Sequence, residues 1–221
     1  MARSRAPTFE QQRSAIRTEA ARLFAEKGFA SASMSQIAQA CQVSKALLYH
    51  YYRDKPALLL DIVESYLDTL LAIGVEAASR PLEPEEHLRE LIARFMRQYE
   101  HAQPQHRVLV QDVKFLDEHE RSRITAKQRS VVDAFARAIA RVHPKWDGET
   151  LRVPLAMILF GMINWTFTWL RAEGPLTYED MAGVVSDIFL HGVTGPGAAG
   201  EAESGRSGRT GAMHGPARIP P

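Results

Sequence analysis

Only one cysteine, Cys41, occurs among the 221 residues. That excludes an intrachain disulfide framework and a multi-cysteine zinc site. It fits a reducing cytoplasm, and the opening MARSRAPTFEQQR lacks the apolar core of a secretory signal. Strand-like alternation of useful length is missing, so no sheet is expected. Also missing are Gly-x-Ser-x-Gly, a Walker-type loop and His-Glu-x-x-His, the patterns that position a nucleophile, a nucleotide or a catalytic zinc. The run Gly192-Val193-Thr194-Gly195-Pro196-Gly197 imitates a phosphate loop but follows a helix, precedes none and lacks lysine. His101, His106 and His119 lack metal-ligand spacing. No enzyme and no cofactor are expected.

Uncharged runs are short except one, the 18 residues from Val153 to Leu170. The length approaches a membrane span. However, Pro154, Gly161, Asn164, Thr166 and Thr168 interrupt it, and Arg152 and Arg171 bound it closely. A helix buried on several sides is the better reading, and no membrane partner is expected.

Net charge is only +1, but it is unevenly spread. Residues 1–55 hold nine Lys/Arg against four Asp/Glu, while the remainder holds 18 against 22. A basic quarter joined to a mildly acidic body points to a polyanion partner at one end.

Helix signals fill most of the chain. Thr8-Phe9-Glu10-Gln11 and Ser33-Met34-Ser35-Gln36 read as capping boxes, and Gly28 as a C-terminal stop. Ser44 caps a third short helix, and Asp54 caps a long one beginning at Lys55 or Pro56. Further helices are expected from Pro84 to about Ala102, over 105–118 and 122–142, from Asp147 or Thr150 to Ala172, and from Thr177 to His191. The fold class is therefore all-α, with about nine helices. Residues 195–221 are rich in Gly, Pro and Ala with no apolar face, and are expected to be a disordered tail.

Three helices within residues 11–52, the last two joined by a tight turn, describe the geometry that lays a helix in the major groove. The stretches Ala20-Ala21-Arg22-Leu23-Phe24-Ala25-Glu26-Lys27-Gly28-Phe29, Ser33-Met34-Ser35-Gln36-Ile37-Ala38 and Val43-Ser44-Lys45-Ala46-Leu47-Leu48-Tyr49-His50-Tyr51-Tyr52-Arg53-Asp54-Lys55 resemble the N-terminal domain of TetR-type transcriptional regulators. Gln42 departs from that pattern, standing where the family commonly has a turn glycine. The resemblance implies a helix-turn-helix DNA-binding domain at 1–54 and a ligand-binding and dimerisation domain at 55–194. By position in the motif, Tyr49 and Lys55 are expected at phosphates. Lys45 is expected to read guanine and Ala46 a thymine methyl. Ser35 and Gln36 could reach backbone or bases. Ser44, His50 and Tyr51 complete the DNA-facing set, whereas Tyr52 is expected inside the head. Arg3 and Arg5 are either a minor-groove arm or a nonspecific tail.

In the acidic body, one face of the uncharged helix is expected to pack against its copy across a two-fold axis. Met181, Val184, Val185, Ile188 and Phe189 of the last helix supply the partner stripe. Such a homodimer implies a palindromic operator. Candidate effector contacts are Met96, Tyr99, Phe115, Met157, Phe160, Asn164, Trp165, Thr168, Trp169 and Arg171, the polar ones because a polar group inside an apolar helix needs a partner. The string Gly161-Met162-Ile163-Asn164-Trp165-Thr166, with Trp169-Leu170-Arg171 and Gly174-Pro175-Leu176, is similar to the penultimate helix of TetR-type repressors that answer to acyl-CoA thioesters. That likeness implies an acyl-CoA effector and a repressor of catabolic genes. Another hydrophobic or aromatic small molecule, as in efflux control, is the alternative. Arg94, Arg97, Arg107, Lys114 and Arg171 are the cations available for CoA phosphates.

Overall fold

In a computed structural model, residues 8–144, 150–171 and 173–194 are described. The expected Asp147 helix start, the Arg3/Arg5 arm and the 195–221 tail lie outside them. Among the described residues there are nine α-helices and no strand.

Helices α1 (Phe9–Lys27), α2 (Met34–Ala40) and α3 (Lys45–Tyr51) form the head. Both capping boxes close: Thr8 accepts from the Gln11 amide and Ser33 from the Gln36 amide, while each glutamine side chain returns the bond. Gly28 ends α1 at φ 81°, a backbone setting that costs glycine nothing. Gln42, in the α2–α3 turn, adopts φ 56°. The turn keeps a left-handed shape despite lacking glycine, and glutamine carries the steric cost. Ile16, Ala20, Phe24, Ile37, Leu48 and Tyr52 make the small core of the head.

The long helix α4 (Lys55–Ala78), capped by Asp54, joins head to body. The body adds α5 (Pro84–His101), α6 (Gln103–Gln111), α7 (Glu118–Val142), α8 (Arg152–Asn164) and α9 (Tyr178–Thr194). Helix α6 packs on α1, so the body touches the head a second time.

Several helix boundaries differ from expectation. Pro104 lies in the first turn of α6 rather than before it, and that helix stops at Gln111 before a 3-10 turn over Val113–Phe115. Helix α7 begins four residues early because Asp117 caps it, accepting from the Glu120 amide at 2.7 Å. Helix α8 ends at Asn164, followed by a 3-10 turn over Trp165–Thr168. There Thr166 Oγ1 donates to the Ile163 carbonyl and Thr168 Oγ1 to the Trp165 carbonyl. These hydroxyls take carbonyls the α-helical ladder would otherwise use. The uncharged run is thus broken, and no described helix is long and apolar enough to cross a membrane.

Candidate nucleic-acid interface and effector cavity

Ser44 is the N-cap of α3, its Oγ accepting from the Leu47 amide at 3.0 Å. That cap sets the helix so that Lys45, Ala46 and Tyr49 are exposed while Leu48 is buried. The Lys45 ammonium lies 5.9 Å from the Tyr49 ring centre. A cation and a phenol hydroxyl therefore project together, as a phosphate-and-base contact requires. Ser35 and Gln36 are exposed at the start of α2, beside this surface in sequence and cap. Gln36 has its side-chain oxygen committed to the Ser33 amide, which leaves its amide protons free. His50 is also exposed.

Two of the predicted DNA contacts are placed otherwise. Tyr51 is half-buried and stacks on Phe9, with ring centres 4.6 Å apart. It ties the start of α1 to the end of α3. Lys55 Nζ donates to the Phe29, Ala30 and Ala32 carbonyls at 2.6, 3.2 and 2.8 Å. An ammonium has three protons, and all are used. Lys55 therefore closes the α1–α2 loop, a use of its protons that the motif did not indicate.

Tyr52 is buried, as expected, and its hydroxyl donates to Asp61 Oδ2 at 2.6 Å. Arg13 grips the same carboxylate through Nε and Nη2 at 3.1 and 2.7 Å, and Arg17 reaches it at 3.5 Å. One carboxylate on α4 thus holds α1 and the end of α3. Sequence reading missed Asp61, since nothing local ties it to Arg13.

The body contains a cavity of about 270 Å³ between α4, α5, α6, α7 and α8. Of the candidate effector contacts, Tyr99, Met157, Phe160 and Asn164 line it, together with Leu67, Leu70, His106, Gln128, Val131 and Val132 among others. No lining residue is an acid, lysine or arginine. Tyr99 donates to Asn164 Oδ1 at 2.7 Å, which leaves the Asn164 amide protons for another acceptor. His106 was not foreseen. It is buried, stacked on Tyr99 at 4.2 Å, and its Nδ1 lies 3.2 Å from the Tyr66 hydroxyl. Burial pulls the imidazole down to about 4, so the ring is neutral. Its Nε2 has no hydrogen-bond partner.

The remaining predicted ligand contacts are not in this cavity. Met96 is fully buried in the core. Phe115 stacks on Phe29 of the head at 5.0 Å, because the 3-10 turn swings it toward α1. Trp165 is 67% exposed. Thr168, Trp169 and Arg171 line a separate outer groove with Gln103, Arg107 and Phe167. Phe167 also touches His106, with ring centres 5.1 Å apart, so groove and cavity share one aromatic wall. Of the other proposed cations, Arg94 is taken up by Glu90 and Glu76 at 2.7 and 3.0 Å.

The last two helices leave an apolar face uncovered. Val153, Ile158, Val184 and Ile188 are exposed, Ile188 by 60%. Val185 and Phe189, expected on the same stripe, point inward and are buried, since they lie about a quarter-turn away on α9.

The family model for the tetracyclin repressor-like C-terminal domain matches residues 81–193, and that for bacterial regulatory proteins of the tetR family matches residues 16–62. The chain belongs to the TetR family. It is therefore a TetR-family transcriptional regulator. A TetR-family regulator from Bordetella parapertussis 12822 superposes with a TM-score of 0.78 at 32% identity, over 82% of this chain and 95% of that one. AibR, solved with isovaleryl coenzyme A and operator DNA, superposes at 0.71 with 26% identity, over 81% and 98%. The transcriptional repressor KstR2 of Mycobacterium tuberculosis is 26% identical over 190 residues, 80% of this chain and 90% of KstR2. Two Bacillus subtilis regulators match at 42% and 37% identity, but the chain spans only 20% and 25% of their length.

Proposed function

We propose that this TetR-family regulator is a homodimeric repressor of catabolic genes, released from a palindromic operator by an acyl-CoA thioester with a small acyl group. The observation that carries the reading is the pairing of two unlike chambers. The inner cavity is uncharged and small beside ordinary ligand pockets of about 300–1,000 Å³. Beyond the shared Phe167 wall, the outer groove offers Arg107, Arg171 and Trp169. An acyl group suits the first. Phosphates and an adenine suit guanidinium and indole in the second. The Asn164 amide and neutral His106 are groups that could meet a thioester carbonyl. AibR, which resembles the chain over most of its length, was solved with such a thioester.

The dimer rests on the apolar face of α8 and α9, whose Val153, Ile158, Val184 and Ile188 need cover. Met157 lines the cavity and is 54% exposed on the same side of the body. A second copy seated there would close the cavity's outer wall. Ligand state would then alter the spacing of the two α3 helices.

A sensor of a plain aromatic molecule is the second reading, favoured by the ring-rich lining of Tyr99, His106 and Phe160. Adding acyl-CoAs of increasing acyl size, the matching free acids, CoA alone, and an uncharged aromatic compound to the operator complex separates the two. Release by short acyl-CoAs alone supports the proposal. Release by the uncharged aromatic compound without CoA, and none by any thioester, rejects it.

A further inference from the structure

A second groove, about 490 Å³ in volume, lies among α4, α5 and α7. Its floor is small and apolar: Leu71 and Gly74 of α4, and Ala134 and Ala138 of α7. Val75, 73% exposed, stands at its edge. Such a floor admits an aliphatic body closely but has no ring on which a base could stack.

The rim is cationic. Arg137 and Arg141 sit one helical turn apart on α7, and neither has an ion pair among the described residues. The α5 end is closed by His87, which is 4% exposed. Neither ring nitrogen of His87 has a hydrogen-bond partner of ordinary geometry, although the Ala77 carbonyl lies near enough to favour the protonated ring. Burial and the charge of Arg141 outweigh that and pull its pKa down. The ring therefore presents one N–H donor with no settled acceptor. Several other guanidinia of the body are neutralised by carboxylates: Arg94 by Glu76 and Glu90, Arg123 by Glu64, and Arg89 by Asp187. Two unmatched guanidinia and a buried imidazole around an apolar trough form a receptor for a carboxylate with an aliphatic tail.

We infer that this α4–α5–α7 groove is a second small-molecule site, specific for an aliphatic monocarboxylate whose head is held by Arg137 and Arg141 and whose chain lies on Gly74 and Ala134. It shares no lining residue with the effector cavity and does not depend on the acyl-CoA reading.

Calorimetric titration of the full chain with sodium octanoate, and with 1-octanol as the uncharged analogue, tests it. Octanoate should bind at one site per chain, and octanol at least tenfold more weakly. The double variant R137A/R141A, altered only at exposed positions, should weaken octanoate at least tenfold with an unchanged thermal unfolding midpoint. Ala134→Leu, which fills the trough, should do the same. Val132→Phe, which narrows the effector cavity instead, should leave octanoate affinity as it was. The inference is overturned if octanoate does not bind at millimolar concentration, if R137A/R141A binds it equally well, or if Val132→Phe abolishes binding.

Discussion

The Tyr52 hydroxyl donates to the Asp61 carboxylate at 2.6 Å, and Arg13 holds the same carboxylate from the other helix at 2.7 Å. The end of the reading helix is thereby fastened to α4 and α1 together. Burial first, then the hydrogen bond and charge of Asp61, pushes the phenol well above its ordinary value, so it remains a donor throughout the physiological range. Tyr52→Phe should cost about 1.5–3 kcal/mol of stability, the usual loss for a hydrogen bond to a charged group. Asp61→Ala should cost more, since it also strands two arginines. Urea denaturation of the three proteins gives the order directly.

Lys55 and Lys45 should part company in a salt titration. Removing a phosphate contact lowers the slope of log K against log salt by about 0.9. Lys55→Ala should weaken binding to every sequence with the slope unchanged, because its three protons serve the α1–α2 loop. Lys45→Ala should instead relax base preference at one position. A slope change on Lys55→Ala would return that residue to the DNA.

Gln42 carries a left-handed backbone that glycine would adopt freely. Gln42→Gly should therefore stabilise the chain, by about 1 kcal/mol, or about 2–4 °C in melting temperature. Gln42→Ala should give no such gain.

His106 makes stability depend on pH. Its native pKa, held near 4 by burial, lies below the ordinary value of about 6.5. The unfolded chain therefore binds a proton first as pH falls, and stability present above pH 6.5 is lost progressively toward pH 4. At pH 5 the loss from this group is about 2 kcal/mol relative to pH 7.5. His106→Gln should lack that part of the decline. Parallel denaturation curves at the two pH values measure it.

The uncovered apolar face gives a further outcome. Ile188→Glu places a charge among Val184, Ile158 and Val153 and should shift a dimer to monomer in light scattering, with helical content retained. An unchanged dimer mass would move the interface elsewhere.

What the sequence could show was local. Thr8, Ser33, Ser44, Asp54 and Thr177 cap helices where expected because a cap needs only the next three residues. The head was legible because its motif is nearly contiguous. Tyr99, Met157, Phe160 and Asn164 could be chosen from helical spacing and polarity, but Phe115, Trp165 and Trp169 could not be separated from them. Trp165 and Trp169 follow from where α8 stops, at a turn held by two threonine hydroxyls, and Phe115 from the 3-10 turn after α6. The bonds from Asp61 to Arg13, from Lys55 to Ala32 and from His106 to Tyr66 span 48, 23 and 40 residues, and no local pattern marks such contacts.

The most direct test of the central claim, that α3 of a symmetric dimer reads DNA through Lys45 and Ala46, is fluorescence anisotropy on the palindrome upstream of the chain's own coding region. Wild type should bind the intact palindrome at least about a thousandfold more tightly than DNA with both half-sites scrambled. Lys45→Ala should narrow that ratio without abolishing the residual, salt-sensitive binding. Equal affinity of the wild type for both DNAs at low and moderate salt would contradict the account.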